Sequence, residues 1–310
     1  MEKHIIEIRN LTKDYGEGRG VFNINLCVNE GEVFGFLGPN GAGKSTTIRH
    51  LMGFSKPQEG SVKIMGYESF PNYDKILNQV GYIPGEIALP SGLTGWEFIK
   101  MMQKMQKIEN NNRLVSLLEK FKLKNDVLDG ETKKMSLGDK RKLAIVTAFM
   151  SDPKVLVLDE PTSGLDPVMQ EVFVQFIHEE KKRGKTILLS SHIFSEIDST
   201  CDKIAIIKDG RIVSEFIAND LKHASKKYYT ITFLNKNTTL KFLNDVKQIS
   251  SFNLINQSNK TILISIEDKD LQLLVHILAQ LDVVSFSNKK ESLEDYFMKF
   301  YKEDKEFKGV

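Results

Sequence analysis

The sequence predicts an α/β fold built on a parallel sheet, followed by a smaller α+β module. Three observations predict it. Gly38-Pro39-Asn40-Gly41-Ala42-Gly43-Lys44-Ser45-Thr46 fits the pattern G-x-x-x-x-G-K-[ST] at every fixed position, between an apolar run, Val33–Leu37, and a helical run closed by Gly53. Val155-Leu156-Val157-Leu158-Asp159-Glu160 is wholly apolar until it ends in two acids, as in strands buried at the centre of a parallel sheet. After Arg211 the composition shifts: no arginine follows, while lysine and asparagine become frequent.

At 310 residues the chain has room for about two domains. Its net charge of +2, with acids and bases interspersed, gives no basic stripe, so no nucleic-acid partner is expected. The two cysteines, Cys27 and Cys201, have neither metal-site spacing nor a disulfide framework around them, as in a reducing compartment. No apolar run reaches the 18 or more residues of a membrane span, and Met1–His4 leads straight into a strand without a signal-peptide pattern. These features place the chain in the cytoplasm, with any membrane association made through a partner.

In chain order, Ile5–Ile8, Val21–Val28 and Val33–Leu37 read as strands, with Tyr15 in a polar loop between the first two. The glycines at 38, 41 and 43 let the backbone wrap an anion, and a helix starting near Lys44 aims its positive end at the same place. Lys44 can reach the outer phosphates of a nucleotide, and the Ser45 hydroxyl can ligate Mg²⁺. Ser61–Met65 and Val80–Pro84 read as further strands. From Ile87 the character turns helical. Thr94-Gly95-Trp96-Glu97 fits a capping box, Phe98, Met101, Met102 and Met105 follow at helical spacing as adaptable packing, and helices are expected over Arg113–Phe121 and Asp139–Met150.

The strand ending at Asp159-Glu160 carries two carboxylates to its carboxyl end, where ligands gather in such sheets. There one can hold Mg²⁺ and the other polarise a water. Pro167–Arg183 reads as a long helix with proline in its first turn, Lys185–Ser190 as a strand leading to His192, and Lys203–Ser214 as a hairpin turning at Asp209-Gly210. From about residue 221 the expected order is βαββαβ plus a helix, a ferredoxin-like pattern with no catalytic cluster.

Taken in order, these motifs resemble the ATP-binding cassette of ABC transporters over about residues 3–220. The resemblance implies a P-loop NTPase with a RecA-like core, an N-terminal antiparallel β subdomain and a helical subdomain of about residues 87–150. The cassette would span residues 1–220 and an accessory α+β domain residues 221–310. It implies ATP and Mg²⁺ as cofactors, with Tyr15 stacking on adenine, Gly38 to Thr46 holding phosphates, and Ser45 and Asp159 holding the metal. Glu160 would activate water, His192 would touch the γ-phosphate, and Ser163-Gly164-Leu165-Asp166 would form the loop after the acids. Ser136-Leu137-Gly138-Asp139-Lys140 stands where the family places its signature, so Ser136 and Gly138 would complete the ATP site of a second cassette.

Two positions depart from the family pattern. Leu137 and Asp139 replace a glycine and a glutamine of the signature, as in the family's bacterial exporter branch. Gly85 stands where a glutamine should follow Tyr82-Ile83-Pro84, leaving its place to Glu86 or to water. The implied partners are a separate membrane permease and a second cassette, the same chain or another. An importer ATPase and a soluble ATPase remodelling a macromolecule are the competing readings.

Overall fold

The structure is a computed structural model and describes residues 3–222, 226–247, 249, 251–289 and 292–306. The chain divides into two compact units, Met1–Ile217 and Ala218–Val310.

The first unit begins with β1 (His4–Asp14) and β2 (Gly20–Asn29), which pair antiparallel, then β3 (Val33–Leu37) and α1 (Lys44–Leu51). β4 (Glu59–Ile64), β5 (Tyr67–Glu68), α2 (Tyr73–Leu77) and β6 (Val80–Ile83) follow. The helical segment holds α3 (Gly95–Gln106), α4 (Asn112–Lys120), α5 (Asn125–Leu128) and α6 (Leu137–Phe149). The chain then returns through β7 (Val155–Asp159), α7 (Pro167–Lys182), β8 (Thr186–Ser191), α8 (Phe194–Thr200), β9 (Lys203–Lys208) and β10 (Arg211–Ile217).

Two sheets result. One is antiparallel, in the order β2-β1-β4-β5. The other runs β10-β9-β3-β8-β7-β6, parallel throughout except for β10, which pairs antiparallel to β9 at the edge. Every residue of β3, β7 and β8 is buried, which is why these strands are apolar without alternation. A shared core joins the two sheets and α1, with Ile6, Leu11, Val28, Phe34, Phe36, Ile48, Leu51 and Val157 inside it. Because β3, β8, β7 and β6 are parallel neighbours, the loops after them emerge along one edge.

Local chemistry fixes the helices. Thr94 and Glu97 form a complete capping box on α3, each side chain bonded to the other's backbone N–H. Met101 and Met102 behind it are half-buried and Met105 is exposed, so only part of that run packs inward. α4 is tied to α7 by Arg113, which donates to the buried Glu180 at 2.7 Å and to the Phe149 carbonyl at 3.0 Å. The Asp209-Gly210 turn has positive φ at both residues, the geometry of a tight two-residue hairpin.

Three local readings are corrected. β1 does not stop at Ile8: Leu11 is fully buried and pairs with Ile24, and irregular register around Asn10 carries the strand through to Asp14. Tyr15 therefore follows a strand end directly. Neither α2 nor α8 was expected, since both are short and their buried contacts are made with distant strands, as where Ile197 and Cys201 pack against Gly35.

The second unit contains α9 (Ala218–Lys222), β11 (Lys226–Phe233), α10 (Lys236–Val246), β12 (Asn253–Gln257), β13 (Thr261–Glu267), α11 (Leu271–Leu278), β14 (Val283–Lys289) and α12 (Leu293–Glu306). Its sheet order is β12-β13-β11-β14, all antiparallel, with β11 and β13 central. That is the split βαβ arrangement of a ferredoxin-like module. Its core includes Tyr229, Ile231, Phe233, Phe242, Ile262, Ile264 and Leu274. Residues 223–225, and the expected starts of a strand at 250 and of a helix at 291, lie outside the described residues.

Candidate ATP site

The loop after β3 turns into α1 at Gly43, whose φ of 110° is a left-handed conformation that favours glycine; an added Cβ would also lie 2.9 Å from Val21. Lys44 is the first residue of α1 and is buried. Its ammonium donates to the Gly38 carbonyl at 2.6 Å and the Pro39 carbonyl at 3.1 Å, which curls the loop around its own lysine. The Gly38 N–H reaches the Ser191 carbonyl at 3.4 Å, tying the loop to the end of β8.

The acids at the end of β7 are held differently from one another. Asp159 continues the strand, is buried, and accepts from the Ser190 hydroxyl at 2.5 Å. Glu160 leaves the strand with φ of 50°, a left-handed conformation that is uncommon for this residue type. That turn carries its carboxylate between two groups. Oε1 lies 3.0 Å from Lys44 Nζ, and Oε2 lies 2.6 Å from His192 Nδ1. With Nδ1–H donating to the carboxylate, Nε2 is the other ring nitrogen of a half-exposed imidazole.

Behind His192, the Ser191 hydroxyl donates to Glu196 at 2.5 Å and accepts from the Ile193 N–H at 3.0 Å, fixing the turn from β8 into α8. Burial pushes the Glu196 carboxyl up to about 7, against the lowering effect of its hydroxyl partners Ser191 and Thr162. Beside Asp159, Tyr82 is pushed up to about 12, by burial first and by the Asp159 charge second.

The oxygens of Asp159 and Ser45 converge beside Gly85. A Cβ added to Gly85 would lie 3.0 Å from Asp159 Oδ2 and 3.8 Å from Ser45 Oγ. A carboxylate and a hydroxyl there are the hard oxygen donors that suit Mg²⁺, an ion that takes few protein ligands and completes its shell with phosphate and water. Among the described residues no group of three or more His, Cys, Asp or Glu could hold a metal ion. Glu86 is exposed, and it is the Gly85 main chain that lies against Asp159.

The structure thus brings Lys44, Ser45, Asp159, Glu160 and His192 together. The signature residues form a separate cluster with the loop after Glu160. Ser136 caps α6, accepting from the Asp139 N–H at 3.1 Å and donating to the Asp139 carboxylate at 2.7 Å. Leu137 is exposed and Gly138 lies against the Gly164 carbonyl. Asp166 caps α7 through the Met169 N–H at 3.0 Å. Tyr15 is exposed, with Lys13 Nζ 5.5 Å from its ring centroid. Sequence reasoning missed Ser190, Glu196 and Arg141. Two of them sit in stretches that it read, but their partners lie elsewhere in the chain.

Residues 21–163 match the ABC transporter family model. The bacitracin transport ATP-binding protein BcrA of Bacillus licheniformis is 34% identical over 300 residues, covering 95% of this chain and 96% of the relative. The protein of the same name from Enterococcus faecalis is 31% identical over 307 residues, covering 96% of each. A solved structure of an ATP-binding subunit of an ABC transporter superposes with a TM-score of 0.65 at 31% identity, covering 71% of this chain and 92% of that one.

Proposed function

The chain belongs to the ABC transporter family as an ATP-binding protein, and we propose that it is the ATPase subunit of an exporter, driving a separate membrane permease through ATP-dependent pairing of two cassettes. The placement of Glu160 between Lys44 and His192, beside the Asp159–Ser45 corner, carries the hydrolytic part of this reading. The exporter part is supported by the two BcrA proteins, named for bacitracin transport and matched over nearly the whole chain. No described helix is long and apolar enough to cross a membrane, so the pore is assigned to another chain.

The geometry supports these roles in hydrolysis. Lys44 and the loop amides of residues 38–46 bind the phosphates of ATP and stabilise charge on them as the terminal bond breaks. Ser45 and Asp159 would hold Mg²⁺, which when bound would supply charge neutralisation for the phosphates. Glu160 orients the attacking water and accepts its proton. His192 holds Glu160 through Nδ1 and presents Nε2 to the γ-phosphate. Tyr15 stacks on adenine. Ser136 and Gly138 contact the γ-phosphate bound by the second cassette, with Asp166 at the same interface. ATP favours the closed pair and hydrolysis releases it, which moves the permease only because the two states bind ATP differently. The chain works at the inner face of the cell membrane through that permease.

The test is recovery of partners from native membranes, with Glu160→Gln as bait in the presence of ATP and Mg²⁺. The expected result is a polytopic membrane protein retained with the bait. Ribosomal or DNA-bound material without a membrane protein would contradict the exporter reading.

A further inference from the structure

Arg141 lies in the second turn of α6 and is 2% exposed, a rare degree of burial for an arginine. Its guanidinium is spent on main-chain oxygens. Nε donates to the Ser163 carbonyl at 2.9 Å, Nη1 to the Pro84 carbonyl at 2.9 Å, and Nη2 to the Gly85 carbonyl at 2.7 Å. One planar fork therefore joins the loop after β6 to the loop after β7, from the helix that carries Ser136 and Gly138. Burial lowers its pKa, while the charges of Asp159 and Glu160 act to hold the proton on, so the cation lies within electrostatic reach of both acids.

The Gly85 loop has its own reason to need holding. A Cβ at Gly85 would stand 3.0 Å from Asp159 Oδ2, tighter than nine in ten real Cβ contacts, so a side chain here would make the loop or the carboxylate give by a few tenths of an ångström. No side chain from position 85 reaches the corner. Arg141 holds the loop there by bonds to its two carbonyls.

We propose that Arg141 is a positioning residue for ATP hydrolysis: it clamps the Pro84-Gly85 loop against Asp159 and locks that loop to the Ser163 end of the segment that begins at Glu160. This deepens the ATPase reading and rests on it. The link between the helical segment and the hydrolytic acids runs through a guanidinium and three carbonyls, in place of a side chain at position 85. A shift of α6 moves both loops together, because a planar fork has fixed spacing between its donors.

The experiment uses the full chain carrying Arg141→Gln, which removes the charge and most of the fork, and Arg141→Lys, which keeps the charge alone. Four quantities are read: thermal midpoint, affinity for a fluorescent ATP analogue, kcat and KM for ATP, and hydrogen exchange in peptides covering 84–93 and 160–166. The expected result is a kcat lower by about 10–100-fold in both variants, the usual cost of losing a group that orients a ligand. Affinity and KM stay within about threefold, since Arg141 is placed on no phosphate. Both loops lose protection together while β7 and β8 keep theirs. A folded Arg141→Gln chain with unchanged kcat, or with both loops still protected, overturns the proposal, and full activity in Arg141→Lys overturns the role of the fork. Should Arg141→Gln fail to fold, Gly85→Ala tests the clamp from the other side. Its methyl makes the loop or the Asp159 carboxylate give by a few tenths of an ångström; the expected result is faster exchange at 84–93 and a lower kcat with Arg141 intact, and unchanged turnover in a chain whose loop has lost protection overturns the proposal. A wild-type chain without turnover would count against the ATPase reading instead, and the exchange of the two loops would still decide the clamp.

Discussion

The two corners of this site are built in opposite ways. At the Lys44 corner the working groups are side chains: an ammonium, a hydroxyl, two carboxylates and an imidazole, each on or just beyond the end of a buried element. At the Arg141 corner the working groups are main-chain carbonyls of two loops, and a single buried side chain gathers them. On the proposed reading the first corner does chemistry on ATP. The second, as proposed, positions the loops around that chemistry. The difference teaches that one site can carry its chemistry in local motifs and its positioning in contacts between distant ones, and substitutions separate the two.

The largest effect belongs to the chemical corner. Lys44→Ala removes the charge that the loop encloses, and we expect kcat/KM to fall by about 10³-fold, the upper range for losing one preorganised donor to developing charge. Steady-state phosphate release measures it. A fall of only a few-fold would mean that the loop amides alone carry the phosphates.

Next comes the support behind the metal corner. Ser190→Ala deletes the hydroxyl bonded to Asp159. The Mg²⁺ concentration needed for half-maximal activity is expected to rise about 10-fold or more, because groups that orient a metal ligand are worth that much. An unchanged Mg²⁺ titration would assign Ser190 to packing.

Glu196 sharpens the comparison through pH. Its folded pKa, raised to about 7 by burial, lies above that of an exposed glutamate. The stabilising contribution of its neutral form is therefore fully present below the unfolded pKa and lost as pH rises through 7. Glu196→Gln mimics the neutral acid, so wild type should lose stability relative to the variant mainly between about pH 4.5 and pH 7, by roughly 3 kcal/mol at most. Parallel thermal melts of the two chains would reveal this, and curves that stay parallel across the range would refute it.

The smallest effect lies outside both corners. Thr94→Ala breaks the capping box of α3 and should cost about 1 kcal/mol of stability with no change in kcat. A matching fall in turnover would show that the helical segment reports on the acids through more than Arg141.

The same contrast explains what the sequence makes legible. Lys44, Asp159 and His192 announce themselves because each ends or begins an element whose apolar pattern is visible, and the chemistry lies in the side chain that is read. The βαββαβ order after residue 225 is legible because the central strands β11 and β13 alternate buried with less buried residues and the helices between strands carry apolar residues at helical spacing. Arg141 is not, since Lys140-Arg141-Lys142 looks like a solvated basic turn and the partners of Arg141 lie 22, 56 and 57 residues away. Glu196 hides for the same reason: it sits in α8, a seven-residue helix with no pattern of its own, and its burial is made by the turn after β8. The strand nature of Leu11–Asp14 depends on pairing with β2, which a polar local sequence conceals.

The central claim is that Glu160, held between Lys44 and His192, handles the water that attacks ATP. The most direct measurement is single-turnover hydrolysis by Glu160→Gln with ATP and Mg²⁺, alongside its nucleotide affinity. The account predicts binding within about threefold of wild type and hydrolysis slower by about 10²–10⁴-fold, the worth of a general base. Hydrolysis near the wild-type rate in a variant that binds ATP normally would contradict it.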